Sequence, residues 1–157
     1  MIRRADGADV AYLARGLAAI AEHLRRVTDN PFVDELPTAP EAALSIARTF
    51  VEDPARFAFV ASRDGDDVGC IAAQIAPASV GWSRLEVGRI VACWVEPQAR
   101  RQSVGRRLTA AAEVECRGRG VAHVELAYVV DNAGAEAAWQ ALGYRPHRVF
   151  ALKQLHR

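Results

Sequence analysis

The densest chemical signal in the chain is Val95-Glu96-Pro97-Gln98-Ala99-Arg100-Arg101-Gln102-Ser103-Val104-Gly105-Arg106-Arg107-Leu108. An apolar run breaks at a proline and resumes with helical spacing. The backbone N–H groups of the new helix's first turn have no partner within the helix, and the positive end of the helix dipole lies behind them. Such a start binds anions. Arg100, Arg101, Arg106 and Arg107 add charge-assisted donors, and Gly105 lets a ligand approach the backbone closely. The expected guest is a pyrophosphate. Ser103 reads foremost as the N-cap of this helix, its hydroxyl accepting from a backbone N–H two or three residues on, and the same hydroxyl can donate to phosphate. The stretch has neither the Gly-Lys-Ser/Thr of a Walker loop nor the three spaced glycines of a dinucleotide fingerprint.

The elements around this loop follow from apolar periodicity. A short strand, Ile2 to Ala5, leads into a helix with Val10, Leu13, Leu17, Ile20 and Leu24 on one stripe. After a Pro-containing stretch from Asn30 to Pro37, Thr38-Ala39-Pro40-Glu41 reads as a capping box. It opens a helix lined by Leu44, Ala47, Phe50 and Val51 and stopped by Asp53-Pro54. Phe57 to Ser62 and Val68 to Ile75 form an antiparallel hairpin about the polar turn from Arg63 to Asp67, and Ala76 to Leu85, with Pro77 and Gly81, is a loop. Val87 to Val95 reads as a buried central strand. A helix from about Val104 to Arg119 turns Val104, Leu108, Ala111, Ala112 and Cys116 inward, closed by Gly118 and Gly120. Then come a strand from Val121 to Val129, a helix from Asn132 to Leu142 ended by Gly143, and a last strand from Arg148 to Leu155. The expected fold class is α+β, a mixed sheet flanked by about four helices.

A chain of 157 residues, 51% hydrophobic and 25% charged, fits one core, so residues 1–157 are expected to form a single domain. Cys70, Cys93 and Cys116 are scattered and odd in number, as are His23, His123, His147 and His156 in placement, which predicts reduced thiols and no metal site. A formal charge of +1 argues against a nucleic-acid-coating chain. No apolar run is long enough to span a bilayer, and the Met1-to-Asp6 start lacks a signal region, so no membrane association and a cytoplasmic location are expected.

Taken together, these residues resemble the GNAT N-acetyltransferases, whose coenzyme A loop reads Arg or Gln, two residues, Gly, one residue, then Gly or Ala. Arg100, Ser103 and Gly105 stand at those positions, with Ser103 in place of the first glycine. Ile2-Arg3-Arg4-Ala5 is like the family's opening strand. Asn132-Ala133-Gly134-Ala135 through Trp139-Gln140-Ala141-Leu142-Gly143-Tyr144 is like its second conserved block. The resemblance implies a GNAT-like acyl-CoA N-acyltransferase fold and acetyl-CoA as co-substrate. It implies transfer of an acetyl or other short acyl group to a primary amine of a small molecule or protein, by direct attack in a ternary complex. It also implies a cofactor site built from Cys93, Trp94, Val95, Arg100, Arg101, Gln102, Ser103, Val104, Gly105, Arg106, Asn132 and Trp139, with the pantetheine paired to the backbone of Cys93 to Val95.

The same resemblance aligns the family's frequent glutamate base with Arg89 and its tyrosine acid with Trp139, so these two are the candidate catalytic positions and the base is unassigned. Glu22, Asp29, Asp34 and Glu35 are within reach of an acceptor pocket but read more simply as solvated charges. By strict alternation Arg89 shares a face with Val91, Cys93 and Val95. There it either grips an anionic acceptor or pairs with a carboxylate such as Glu86. Trp139 is core packing or a wall beside the coenzyme sulfur. Cys93 reads as a small buried hydrophobe rather than a nucleophile. Two other functions compete: a coenzyme-binding sensor with weak or lost catalysis, and a nucleic-acid module using the arginine cluster. The C-terminal strand offers an edge for a homodimer.

Overall fold

The computed structural model describes residues 1–36, 39–79 and 83–155. Thr38 of the expected capping box, Pro37, Gly81 and His156 lie outside the described residues. The strands are β1 (Ile2–Arg4), β2 (Arg56–Arg63), β3 (Asp66–Pro77), β4 (Glu86–Val95) and β5 (Val124–Leu126), and the helices α1 (Val10–Val27), α2 (Pro40–Glu52), α3 (Val104–Gly118) and α4 (Ala133–Ala141). The strands lie in the order β1-β2-β3-β4-β5, antiparallel up to β4 and parallel between β4 and β5. Chain order therefore becomes spatial order, and α3 is the crossover that a parallel pair requires.

Local chemistry sets the joints. Arg63 pairs with Asp66, leaving Asp64-Gly65 as a two-residue hairpin loop with φ of 53° and 92°, the positive values a type I′ turn needs. Asp9 is 4% exposed and takes both ends of the Arg3 guanidinium at 2.6 and 2.7 Å, fastening β1 to the start of α1. The arginine holds its carboxyl below the usual range, against the opposing effect of burial. Asp53 follows α2, and Gly120 and Gly143 end the later helices at φ of 82° and 93°.

Helices cover both faces. On one, α1 and α2 bury Tyr12, Leu13, Ala43, Ala47 and Phe50 against Ala58, Val60, Cys70 and Ala72, with Ala92 and Trp94 of β4 alongside. On the other, α3 lays Val104, Leu108, Ala112 and Cys116 over Phe57, Ile71, Ala73 and Ile90, with Cys93, Val95, Trp139 and Tyr144 at the margin. Thr109 is also buried, a polar residue that the apolar stripe of α3 did not announce.

Three expectations are corrected. The strand over Val121 to Val129 shrinks to Val124–Leu126, because it pairs with β4 only opposite Gly88, Arg89 and Ile90. Residues Arg148 to Leu155 form no strand, and Val149, Phe150 and Leu155 are 82%, 76% and 81% exposed. A β-rich run becomes a strand only where an edge receives it, and the short β5 offers little edge; the strand edge expected for a homodimer is thus absent from the single chain. The third correction concerns β4. Ala72 pairs with Ala92 but Ala73 pairs with Ile90, so Val91 is an extra residue and breaks the alternation. Arg89 consequently lies on the face of Ala92 and Trp94, not with Cys93 and Val95.

Gly88 marks the tightest packing of α3 on β4: a Cβ there would lie 2.3 Å from Cys116 Sγ and 3.1 Å from its Cβ. Gly88→Ala should destabilise the fold by about 1–3 kcal/mol through overpacking. Adding Cys116→Ala should restore part of that loss, as thermal melts of the two variants will show. Equal stability of Gly88→Ala and wild type would refute this packing.

Candidate active site

β4 runs to Val95, but its parallel neighbour leaves it after Ile90. From Val91 to Val95 the edge facing away from β3 has no strand against it among the described residues, so the backbone donors and acceptors that turn that way lack a ladder partner. The bulge at Val91 sits at the point of parting. Cys93, Trp94 and Val95, the expected pantetheine-pairing residues, make up most of this open edge. The Cys93 side chain turns to the α3 face, where burial pushes its thiol up to about 12, so it holds its proton and is no nucleophile at neutral pH.

Where β4 ends, the chain enters the arginine loop. Arg100 Nε donates to Val95 O at 3.0 Å and its guanidinium stacks 4.9 Å from the Trp94 ring, which tethers the loop to the strand it leaves. Arg101 and Ser103 both adopt left-handed backbone, φ 58° and 62°. Alternation of this kind gathers successive N–H groups into an anion-binding concavity. It also corrects the capping role of Ser103: the left-handed turn carries its hydroxyl away from the first helical turn, and no side-chain cap forms. The first backbone bond is Arg107 N to Ser103 O, so the N–H groups of Val104, Gly105 and Arg106 have no backbone acceptor among the described residues.

The side chains divide by role. Val104 is buried in the core and offers only its backbone. Gln102 donates to Gln98 O at 2.9 Å and accepts from Arg63, bracing the loop. Arg100, Arg101, Arg106 and Arg107 are exposed and make no ion pair with a described carboxylate. A Cβ on Gly105 would meet only Val95 Cγ2, at an ordinary 3.8 Å. The fold has room for a Cβ there, and a small residue at this point leaves the helix start open to a ligand. This cradle and its unpaired cations fit a pyrophosphate-bearing coenzyme.

The second block follows β5 in the chain and packs Trp139 and Tyr144 against the α3-face cluster. Asn132 caps α4, its Oδ1 accepting from Ala135 N at 3.2 Å. Trp139 is half-buried against the α3-face cluster and meets Tyr144 edge to face at 5.5 Å between centroids. Tyr144 donates to Glu113 Oε1 at 2.8 Å, and burial with that carboxylate raises its phenol above the ordinary value. The sequence reading missed this pair, although an ionisable residue on the flank of an apolar helix stripe was its signal.

Arg89 finds a carboxylate, and it is Glu125 rather than Glu86. Its Nε and one terminal nitrogen donate to Glu125 Oε1 at 2.8 and 2.6 Å, and the same nitrogen reaches Pro77 O and Ser79 Oγ. Ser79 in turn donates to Glu125 through its hydroxyl at 2.6 Å and its N–H at 3.2 Å. This clasp joins β4, β5 and the loop after β3 just before the strands diverge. Of the other carboxylates, Glu22 and Asp34 make loose, exposed pairs with Arg26 and Arg25, and Asp29 and Glu35 are exposed.

The comparisons agree with this architecture. The chain belongs to the acetyltransferase (GNAT) family, whose model matches residues 17–144. No curated protein matches it in sequence. Among solved structures it is similar to a tetramutant of the BH1408 protein from Bacillus halodurans, at TM-score 0.82 and 18% identity over 99% of each chain. It is similar to the aminoglycoside 6'-N-acetyltransferase AAC(6')-IG from Acinetobacter haemolyticus, at TM-score 0.74 and 17% identity over 99% of each chain. AAC(6')-Iy, in complex with the bisubstrate analog CoA-S-monomethyl-acetylneamine, matches at TM-score 0.75 and 19% identity over 99% of this chain and 98% of that one.

Glu125 is held below the ordinary carboxylate value by Ser79 and Arg89, against burial. A depressed folded-state value contributes stability that is complete above the unfolded value near 4.3 and lost as pH falls through the folded one. Arg89→Gln should therefore cost roughly 1.5–3 kcal/mol at pH 7.5. The cost should shrink toward pH 4, where the orphaned Glu125 protonates and the mutant sheds a buried charge. Urea melts at both values check this. A pH-independent difference would remove the clasp.

Proposed function

We propose that this protein is an N-acyltransferase that moves the acetyl group, or another short acyl group, of acetyl-CoA to a primary amine by direct attack in a ternary complex. The observation that carries the reading is the continuity of the open β4 edge with the left-handed loop and the glycine-bearing start of α3. One surface offers backbone partners for an extended arm and, at its end, donors for a pyrophosphate. We assign the coenzyme's phosphates to the N–H groups of Ser103 to Arg106 with Arg100, Arg101 and Arg106, and its arm to the edge of Cys93 to Val95, bordered by Asn132 and Trp139.

Bound there, acetyl-CoA supplies an activated acyl carbon. A β4 N–H donates to the carbonyl oxygen as negative charge grows on it, in a crevice that shields the bond from water. The amine attacks as the free base, having lost a proton to solvent or to a group brought by the acceptor site; as the C–N bond forms the nitrogen gives up a second proton to solvent, and the C–S bond breaks with its electron pair on the departing thiolate. With a pKa of about 8.5 for a free thiol, departure does not demand a strong acid, so Trp139 in place of a phenol is compatible with turnover. The Cys93 thiol takes no part. For the acceptor we favour a small molecule, because the aminoglycoside acetyltransferases share this fold. With Arg89 neutralised by Glu125, that side of the crevice does not repel a cationic amine.

Acetyl-CoA at a hundred times its Kd should stabilise the protein by about 2.7 kcal/mol, visible as a raised Tm. Gly105→Val, larger than the Gly or Ala that the family pattern carries at this position, should still fold, since valine is no worse a helix former than glycine. It should nevertheless show a clearly smaller ligand-induced shift and slower thiol release with pooled amines. No shift in wild type at millimolar acetyl-CoA, or equal shifts in both proteins, would overturn the assignment.

A further inference from the structure

On its other flank the start of α3 borders a cleft of about 650 Å³, shared with the beginning of β1 and the β2–β3 turn. Its floor is apolar, made by Ile2, Ala61, Val68 and Val104. The charged side chains lining it are Arg3, Arg63, Arg107 and Asp64, so three guanidiniums meet one carboxylate. Asp9 neutralises Arg3. Arg63 and Arg107 make no ion pair with a described carboxylate, and Arg63 is hydrogen-bonded only to the neutral Gln102. Arg107 stands two residues past Gly105, a turn of about 200° round the helix, so it leaves α3 away from the glycine side. The phosphate assignment above does not use it.

Like charges gathered round a concave floor repel one another, and an anion set between them removes that cost. The cleft has the size of small-molecule sites, which run to about 300–1,000 Å³. Guanidinium forks match the oxygens of a phosphate, and two such cations balance a dianion better than a monoanion. The floor below them suits an apolar group.

We infer that this cleft binds a phosphate monoester with an apolar body, its head between Arg63 and Arg107 and its body on the floor of Ile2, Val68 and Val104. The site lies apart from the coenzyme cradle and does not depend on the acetyl-CoA reading. Gln102 and Val104 line it from the reverse side of the same loop.

Phenyl phosphate is the probe, titrated into wild type by calorimetry. Inorganic phosphate lacks the body and benzoate lacks the second charge, so each should bind about tenfold more weakly. Arg107 is exposed, so Arg107→Gln should melt like wild type while its Kd for phenyl phosphate rises about tenfold. Asp64→Asn, which suits the left-handed turn position equally well, should bind the probe more tightly because it removes the opposing charge. Arg106→Gln, on the coenzyme side, should bind it like wild type. Absence of binding to wild type at millimolar probe overturns the site. So does inorganic phosphate binding as tightly as phenyl phosphate, or an affinity that falls in Arg106→Gln and not in Arg107→Gln, which would place the probe in the coenzyme cradle.

Discussion

β4 has a neighbour on both edges only as far as Ile90. Beyond that residue the described residues place no partner on the β5 side while β3 continues to hold the other edge, so the alternate backbone groups of Val91 to Val95 that turn away from β3 are not satisfied by the sheet. An unpaired edge is ordinarily a liability, covered or blunted to prevent association with other chains. Here α3 packs on the adjoining face, and no further strand covers the edge among the described residues. The bulge at Val91 belongs to the same arrangement, since an added residue increases local twist and turns the end of β4 away from its neighbour. The Arg89–Glu125–Ser79 clasp fixes where divergence begins, and Cys116 against Gly88 keeps α3 pressed on the closed end.

Charge is distributed to match. Arginines elsewhere are spent on architecture: Arg3 with Asp9, Arg4 and Arg119 with Glu115, and Arg89 with Glu125. Those in and beside the loop before α3 have no such partners among the described residues. A chain with a formal charge of +1 thus keeps a concentrated positive site, because its acidic residues are engaged or located elsewhere. Arg100 is anchored through Nε to Val95 O and stacked on Trp94, and makes no ion pair with a described carboxylate.

What could be read from the residues alone was local. Asp64-Gly65 names its own turn, the proline after Val95 ends a strand, and apolar spacing gives α1, α2 and α3 their buried faces, all within a few residues of the signal. What escaped depends on distant partners. The bulge at Val91 arises from the register between β3 and β4, and one inserted residue reverses the side chains of half a strand, which is why Arg89 appeared on the wrong face. Arg148 to Leu155 has strand composition but no receiving edge. Ser103 looked like a cap because caps are read from residue type, whereas its left-handed backbone was set by the turn into α3. The Tyr144–Glu113 pair joins α3 to the residues after α4 across 31 positions of chain, which periodicity cannot show.

On the proposed reading, the open edge of β4 receives the arm of the coenzyme. Hydrogen exchange, read residue by residue with and without saturating acetyl-CoA, tests it most directly. The amides of Val91 to Val95 that turn away from β3 and those of Ser103 to Arg106 should exchange markedly more slowly in the complex, while those already paired with β3 or within the β2–β3 hairpin should change little. Saturated binding that leaves exchange in Val91 to Val95 unaltered would contradict the account.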